Sequence, residues 1–248
     1  MPIARLIAVL ILLPAALGAQ AGPFPPDSLR NVKVLPATMS VRDVVGVMRG
    51  FTNALGVRCP FCHVGQEGQD LSTFNFASDD KPTKETARIM LRMVQAINTQ
   101  HLNQIAQREQ PSVEVQCTTC HRGVAVPRAL SDVVANAALA GGADSAVRAY
   151  RALRERYYGR AAYDFGESTL IQATQPLQQS RKFEEALALL RLNAEFYPQS
   201  SQTQTTMGEM FRMRGDTAAA IAAYRQALQM NQNDGGARQR LRELGVLP

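Results

Sequence analysis

The sequence predicts an all-α protein in two parts, a small N-terminal domain organised around two short motifs and a C-terminal run of helical repeats. Three observations predict it. Apolar residues in the first half recur at helical spacing. All four cysteines, and two of the three histidines, fall in two CxxCH motifs, "CPFCH" and "CTTCH". The last third of the chain matches itself at an offset of 34 residues.

The chain has 248 residues and 46% apolar content, enough for one large or two small domains. Its formal charge of +6 is spread among glutamines and alanines rather than gathered in a cluster. That pattern reads as solvated helix surface and argues against nucleic acid as a partner. At the N-terminus, one arginine precedes an apolar run from Leu6 to Leu17, followed by small residues. This is the layout of a signal peptide, expected to span residues 1–21, with cleavage after Ala19 or Ala21. The run is short for a membrane span and Pro14 interrupts it, though an uncleaved anchor is the rival reading. The mature protein is expected to be exported to the periplasm, associating with the membrane only through a partner or that anchor.

The elements follow in order. A proline-rich lead-in, "GPFPPDSLRNVKVLP", precedes the first helix. Ser40 with Asp43 is a near capping box, Val41, Val44, Met48, Phe51 and Leu55 form an apolar stripe, and Gly56 is the stop. The first CxxCH follows, then a polar loop up to Thr83. Pro82 and Thr83 open a long helix, "KETARIMLRMVQAINTQHLNQIAQ", with Met90, Val94, Ile97 and His101 on one face. Pro111 ends it, the second CxxCH follows, and Pro127 closes a domain expected over 22–130.

A second domain is expected over 131–248. Ala186, Leu190 and Pro198 align with Ala220, Tyr224 and Gln232, and Gly208 takes a small-residue place where two helices must approach closely. This pattern resembles a tetratricopeptide repeat. "ADSAVRAYRALRERYYG" reads as another second helix, about six residues out of phase, and "GARQRLREL" as a capping helix. The family's tryptophan is absent and Pro176 is expected to interrupt one first helix.

CxxCH has a physical logic. Two thiols three residues apart on a helical turn can add to the two vinyl groups of one haem, and the next histidine turns its ring to the iron. Zinc is the first rival, but 54 residues separate the two cysteine pairs, against roughly 15–20 in zinc ribbons. A thioredoxin-type pair would need a βαβ context, and the flanks are helical. Structural disulfides would leave both histidines unexplained. The expectation is therefore two covalently attached c-type haems, one on Cys59 and Cys62 with His63, the other on Cys117 and Cys120 with His121. The fold class becomes a small dihaem c-type cytochrome domain followed by a tetratricopeptide-like helical-repeat domain.

The sixth ligand of each iron decides function, since a strong protein ligand favours electron transfer and an open position favours small-molecule chemistry. Met48, eleven residues before Cys59 on the apolar stripe, is the candidate for the first haem, with plain core packing as its rival role. For the second, His101, Met90 and Met93 are the candidates.

"VMRGFTNALGVRCPFCHVG", "KPTKETARIMLRMVQAIN" and "VQCTTCHRGVAVPR" together resemble the cytochrome c subunit of photosynthetic reaction centres. That family carries four haems in two repeated pairs, and residues 30–128 resemble the second pair. The resemblance implies Met48 as sixth ligand of the first haem and bis-histidine ligation of the second. In the family the distal histidine comes from the first haem pair, which this sequence lacks. His101, a partner chain, Met90 or Met93 are the ways to replace it. The expectation is a non-enzymatic electron carrier between redox partners, with a redox protein or membrane complex as partner. The repeats, which are not part of the familiar subunit, are expected to be the docking surface, because such arrays form concave faces that bind partner segments. A dihaem peroxidase or small-molecule reductase, and a haem-based sensor or assembly protein acting through the repeats, are the competing readings.

Overall fold

The computed structural model describes residues 24–246 apart from Glu109, so the expected signal segment lies outside the described residues. They are helical, with one isolated antiparallel bridge, Val64 to Asn75. Two compact units result. Residues up to Asn53 join Val57–Gln116 in the first, and Ala54–Gly56 join Cys117 onward in the second. The boundary thus falls just ahead of the second CxxCH motif.

In the first unit, α1 spans Val41–Leu55. Ser40 starts it as the sequence suggests. Its Oγ accepts from the Asp43 amide at 3.2 Å and donates to Asp43 Oδ2 at 2.7 Å. Helix α2 spans Pro82–Ala96, with Pro82 at its first position and Glu85 in its first turn. The sequence predicts a regular helix well beyond this point. Instead, Ile97–His101 form a π-turn and Leu102–Gln104 a 3₁₀ turn. Each residue of a π-turn advances by a smaller angle, so the register aligning His101 with Met90 holds only to Ala96.

Little of this unit is buried. Among the described residues its buried side chains are Val44, Phe74 and Arg88, while Phe61, Ile89, Met90, Met93 and Ile105 are exposed. The second unit is the opposite. Helix α3 is the short Cys117–His121 turn, and α4 spans Leu130–Tyr157. Gly142, at φ 75°, breaks α4 into two arms. Then come α5 (Glu167–Gln179), α6 (Phe183–Phe196), α7 (Ser201–Arg214), α8 (Thr217–Met230) and α9 (Gly235–Glu243).

The period of 34 survives folding. Helices α5, α7 and α9 begin at 167, 201 and 235, and α6 and α8 at 183 and 217. Each helix packs on the next in sequence from α4 to α9. Ala186, Leu190, Ala220 and Tyr224, aligned by the repeat, are all fully buried. Polar caps fix the starts: Ser200 Oγ accepts from Thr203 N, Asp216 Oδ1 from Ala219 N, and Asp234 Oδ1 from Ala237 N. Pro176 does not interrupt α5, contrary to expectation. The carbonyl that loses its helical donor belongs to Gln172, an exposed residue, where water can replace the bond.

At Gly208, α7 and α8 approach closely. A Cβ there would lie 2.4 Å from the ring of Tyr224, itself buried with its hydroxyl donating to Glu209 Oε1 at 2.7 Å. Helix propensity alone would favour alanine by about 1 kcal/mol. Overpacking against a buried ring costs about 1–3 kcal/mol, which reverses the sign. Gly208→Ala should therefore lower the unfolding free energy of the second unit by about 1–2 kcal/mol in urea titration. An unchanged or raised midpoint would show that Tyr224 has room to move.

Candidate haem-attachment sites

The first motif forms a tight turn. Cys59–Phe61 are 3₁₀, Cys62 N donates to Cys59 O at 3.2 Å, and His63 N donates to the same carbonyl at 3.0 Å. One turn of helix thus sets Cys59, Cys62 and His63 at i, i+3 and i+4, neighbours on one side. The start of α2 holds this turn: Lys81 Nζ donates to the Pro60 carbonyl, and Thr83 Oγ1 to the Phe61 carbonyl at 2.5 Å. Burial pushes the Cys62 thiol up.

His63 packs edge-on against Phe76, with ring centroids 5.0 Å apart, and Phe76 stacks on Phe74 at 5.6 Å. Gly65 lies where a Cβ would meet the Phe74 ring at 2.4 Å. Burial, helped by the positive charge of Lys84, pulls the His63 pKa down to about 4. Its imidazole is therefore neutral at physiological pH, the form a metal ligand needs. Its Nδ1 is buried without a hydrogen-bond partner.

The loop read as simply polar is built around a charge hub. Asp79 accepts from Arg88 at 2.8 Å, Lys33 at 2.7 Å and Asn31 at 2.8 Å, with Lys84 3.2 Å away. Arg88, then Lys33 and Asn31, hold the Asp79 carboxyl far below the usual carboxylate range. Lys84 Nζ also donates to the carbonyls of Phe76, Ala77 and Ser78. The same lysine and the same loop thus place the aromatic wall beside His63. The sequence signal was there in "FNFASDD" followed by cations at 81, 84 and 88, but the partners become visible only in three dimensions.

The second motif is the whole of α3. His121 Nδ1 lies 3.0 Å from the Val124 carbonyl, and a carbonyl only accepts. Nδ1 is therefore the donor, and in the neutral imidazole this leaves the lone pair on Nε2, the tautomer that ligates iron. The loop that supplies this carbonyl is fixed by α1. Gly123 N donates to Ala54 O at 2.8 Å, and Gly56, at φ 64°, comes so close that a Cβ would lie 2.1 Å from Gly123 O. Gly56 stops α1 as the sequence predicts, and its smallness also admits the second attachment loop.

Asn98, in the π-turn, grips the segment leading into this motif. Its Nδ2 donates to Val115 O and its Oδ1 accepts from Val115 N, both at 2.8 Å. The side chain replaces a backbone partner at that point. Of the predicted sixth ligands, Met48 is partly buried on α1, Met90 and Met93 are exposed on α2, and His101 is exposed in the π-turn.

These residues fit a covalently attached haem. All four thiols are free. Each follows the i, i+3, i+4 pattern with a histidine able to present a lone pair, and exposed apolar side chains stand on α2. No group of three or more His, Cys, Asp or Glu is gathered for an ion among the described residues, as a thiolate zinc site would require. An all-helical chain with CxxCH turns of this form is a c-type cytochrome. Residues 13–151 match the family model described as the photosynthetic reaction centre cytochrome C subunit, and the chain belongs to that family.

The chain is 35% identical over 91 residues to cytochrome c-554 of Chloroflexus aurantiacus, a match covering 37% of this chain and 20% of that protein. It is 34% identical over 110 residues to the photosynthetic reaction center cytochrome c subunit of Rubrivivax gelatinosus, covering 44% and 26%. The corresponding subunit of Thermochromatium tepidum is 34% identical over 118 residues, covering 47% and 25%. The matches therefore span about a quarter or less of the length of these relatives. No helix among the described residues is long and apolar enough to cross a membrane.

Two outcomes follow from this geometry. Asn98→Ala removes two hydrogen bonds of about 1 kcal/mol each, so it should destabilise the first unit by about 2 kcal/mol, read by denaturant titration. Asp79 has a depressed pKa, so its contribution is present above the ordinary carboxylate pKa of 3.8 and is lost as pH falls below it. Asp79→Asn should lower the melting temperature at neutral pH and flatten its decline in acid. A variant with the wild-type acid profile would show that the hub carries no stability.

Proposed function

We propose that this protein is an exported, periplasmic dihaem electron carrier, and that its helical repeats, resembling tetratricopeptide repeats, dock a redox partner. The observation that carries the reading is the pair of CxxCH turns, each with a histidine in a form fit to ligate, the first set in a unit with three buried side chains among its described residues. Haem, once bound, supplies one-electron chemistry at iron. Cys59 and Cys62, and Cys117 and Cys120, would hold the two groups by thioether bonds. The Val124 carbonyl orients His121 and raises its basicity as a ligand. Phe74 and Phe76 keep water from the His63 ring, and Phe61, Ile89, Met90 and Met93 offer the apolar surface a macrocycle covers.

On this reading Met48 would be the sixth ligand of the first iron and His101 that of the second. Methionine ligation raises a haem potential relative to bis-histidine ligation, so the two sites would differ and give transfer a direction. Assembly with a membrane complex is supported by the names of the two reaction-centre relatives and by residues 13–151 matching their family.

The test is a pyridine haemochrome assay with a potentiometric titration of the intact protein. The expected result is two haems per chain, one for each CxxCH motif, and two reversible one-electron waves. Replacing both cysteines of either motif should remove one haem and one wave. Met48→Ala should abolish the methionine–iron charge-transfer band and lower the higher potential. Retention of that band would remove Met48 from the site, and rapid carbon monoxide binding to both reduced haems would overturn the electron-carrier reading.

A further inference from the structure

Within the second unit, an open cavity of about 470 Å³ lies against the second attachment turn. Cys120 and Arg122 of that turn line it, as do Arg128, Tyr163, Asp164 and Thr169. Its charge is unbalanced. Arg122 and Arg128 are both exposed, and neither is paired with a carboxylate among the described residues. The Arg122 Nε reaches only the Thr119 carbonyl of its own turn, at 3.4 Å. The carboxylate in the wall, Asp164, is occupied locally. Its Oδ1 accepts from Gly166 N at 2.7 Å, while its backbone carbonyl accepts from Thr169 Oγ1 at 3.0 Å. Two exposed arginines against one carboxylate therefore leave the wall of this space with an excess of positive charge.

We propose that this cavity is the docking surface for an acidic segment of a protein redox partner, which brings that partner onto the turn carrying the second haem. The proposal rests on the electron-carrier reading. Charge complementarity selects the occupant. The chain carries a net charge of +6, and Arg122 and Arg128 outnumber Asp164 in the wall beside Cys120. Size separates a peptide from a free ion. Cavities of about 300–1,000 Å³ accommodate multi-atom groups, and a single tetrahedral anion fills little of such a space. Guanidinium forks match carboxylates in bidentate geometry, which gives orientation as well as attraction. Tyr163 also lines the wall. An occupant touching Cys120 touches the attachment turn itself.

The test uses the full haem-loaded protein and a fluorescein-labelled peptide of alternating Glu and Ala, with binding read by anisotropy at low salt. The double variant Arg122→Gln/Arg128→Gln should weaken binding about tenfold, and salt should weaken binding by the wild type far more than by the variant. Arg128→Lys, which keeps the charge, should retain most of the affinity. Arg225→Gln, an exposed change on α8, should leave it unaltered. Equal binding by the double variant and the wild type overturns the proposal. Displacement of the peptide by inorganic phosphate at comparable concentration also overturns it, because the site is then one for free anions. Visible spectra and redox titration of the same samples report on electron carriage separately, so loss of either result leaves the other readable.

Discussion

The folding of the first unit is constrained by how little side chain it buries. Fixing each backbone residue costs about 1–2 kcal/mol of conformational entropy, and hydrophobic burial is the main term that offsets it. Here Val44, Phe74 and Arg88 are the buried side chains among the described residues, and one of the three is a cation. Polar contacts take up part of the task, through Asp79, Lys84 and Asn98, but each such bond contributes only about 1 kcal/mol net. On the reading advanced above, the remaining interior is the porphyrin. Covalent attachment would then have a structural meaning: the macrocycle would be part of the chain's own core and could not diffuse away.

The second unit needs no such help. Its helices bury a continuous apolar core from Leu130 to Met210 and a second cluster around Tyr224 and Leu241. The second CxxCH turn belongs to this unit by its contacts, joined to the last turn of α1 through Ala54, Gly56 and Gly123. The two motifs, nearly identical as text, therefore stand in different physical settings. His63 is buried against Phe76 with an unpartnered Nδ1, whereas His121 has its Nδ1 proton committed to Val124. Second-shell differences of this kind alter ligand basicity and hence the properties of the iron.

Much of this was legible in the sequence because it is local. A helix start such as Ser40, a stop such as Gly56, the i, i+3, i+4 spacing of CxxCH and a period of 34 all depend on residues a few places apart or on simple repetition. What was not legible depends on long-range partners. Asn98 reads as an ordinary helix residue until Val115 is placed beside it, and only then does the π-turn make sense. Asp79 looks like a loop charge until Asn31, Lys33 and Arg88 converge on it from both sides in sequence. Pro176 misleads in the other direction, because propensity counts the lost bond without knowing that the residue four places back, Gln172, is exposed.

Amide hydrogen exchange on the haem-loaded protein, compared with a Cys59→Ser/Cys62→Ser variant, tests the account most directly. If the covalent group completes the interior of the first unit, protection across α1, the loop through Asp79 and α2 should collapse in the variant, while α5 to α9 keep theirs. Equal protection of α1 and α2 in both proteins would contradict the account, because the first unit would then be stable on its side chains alone.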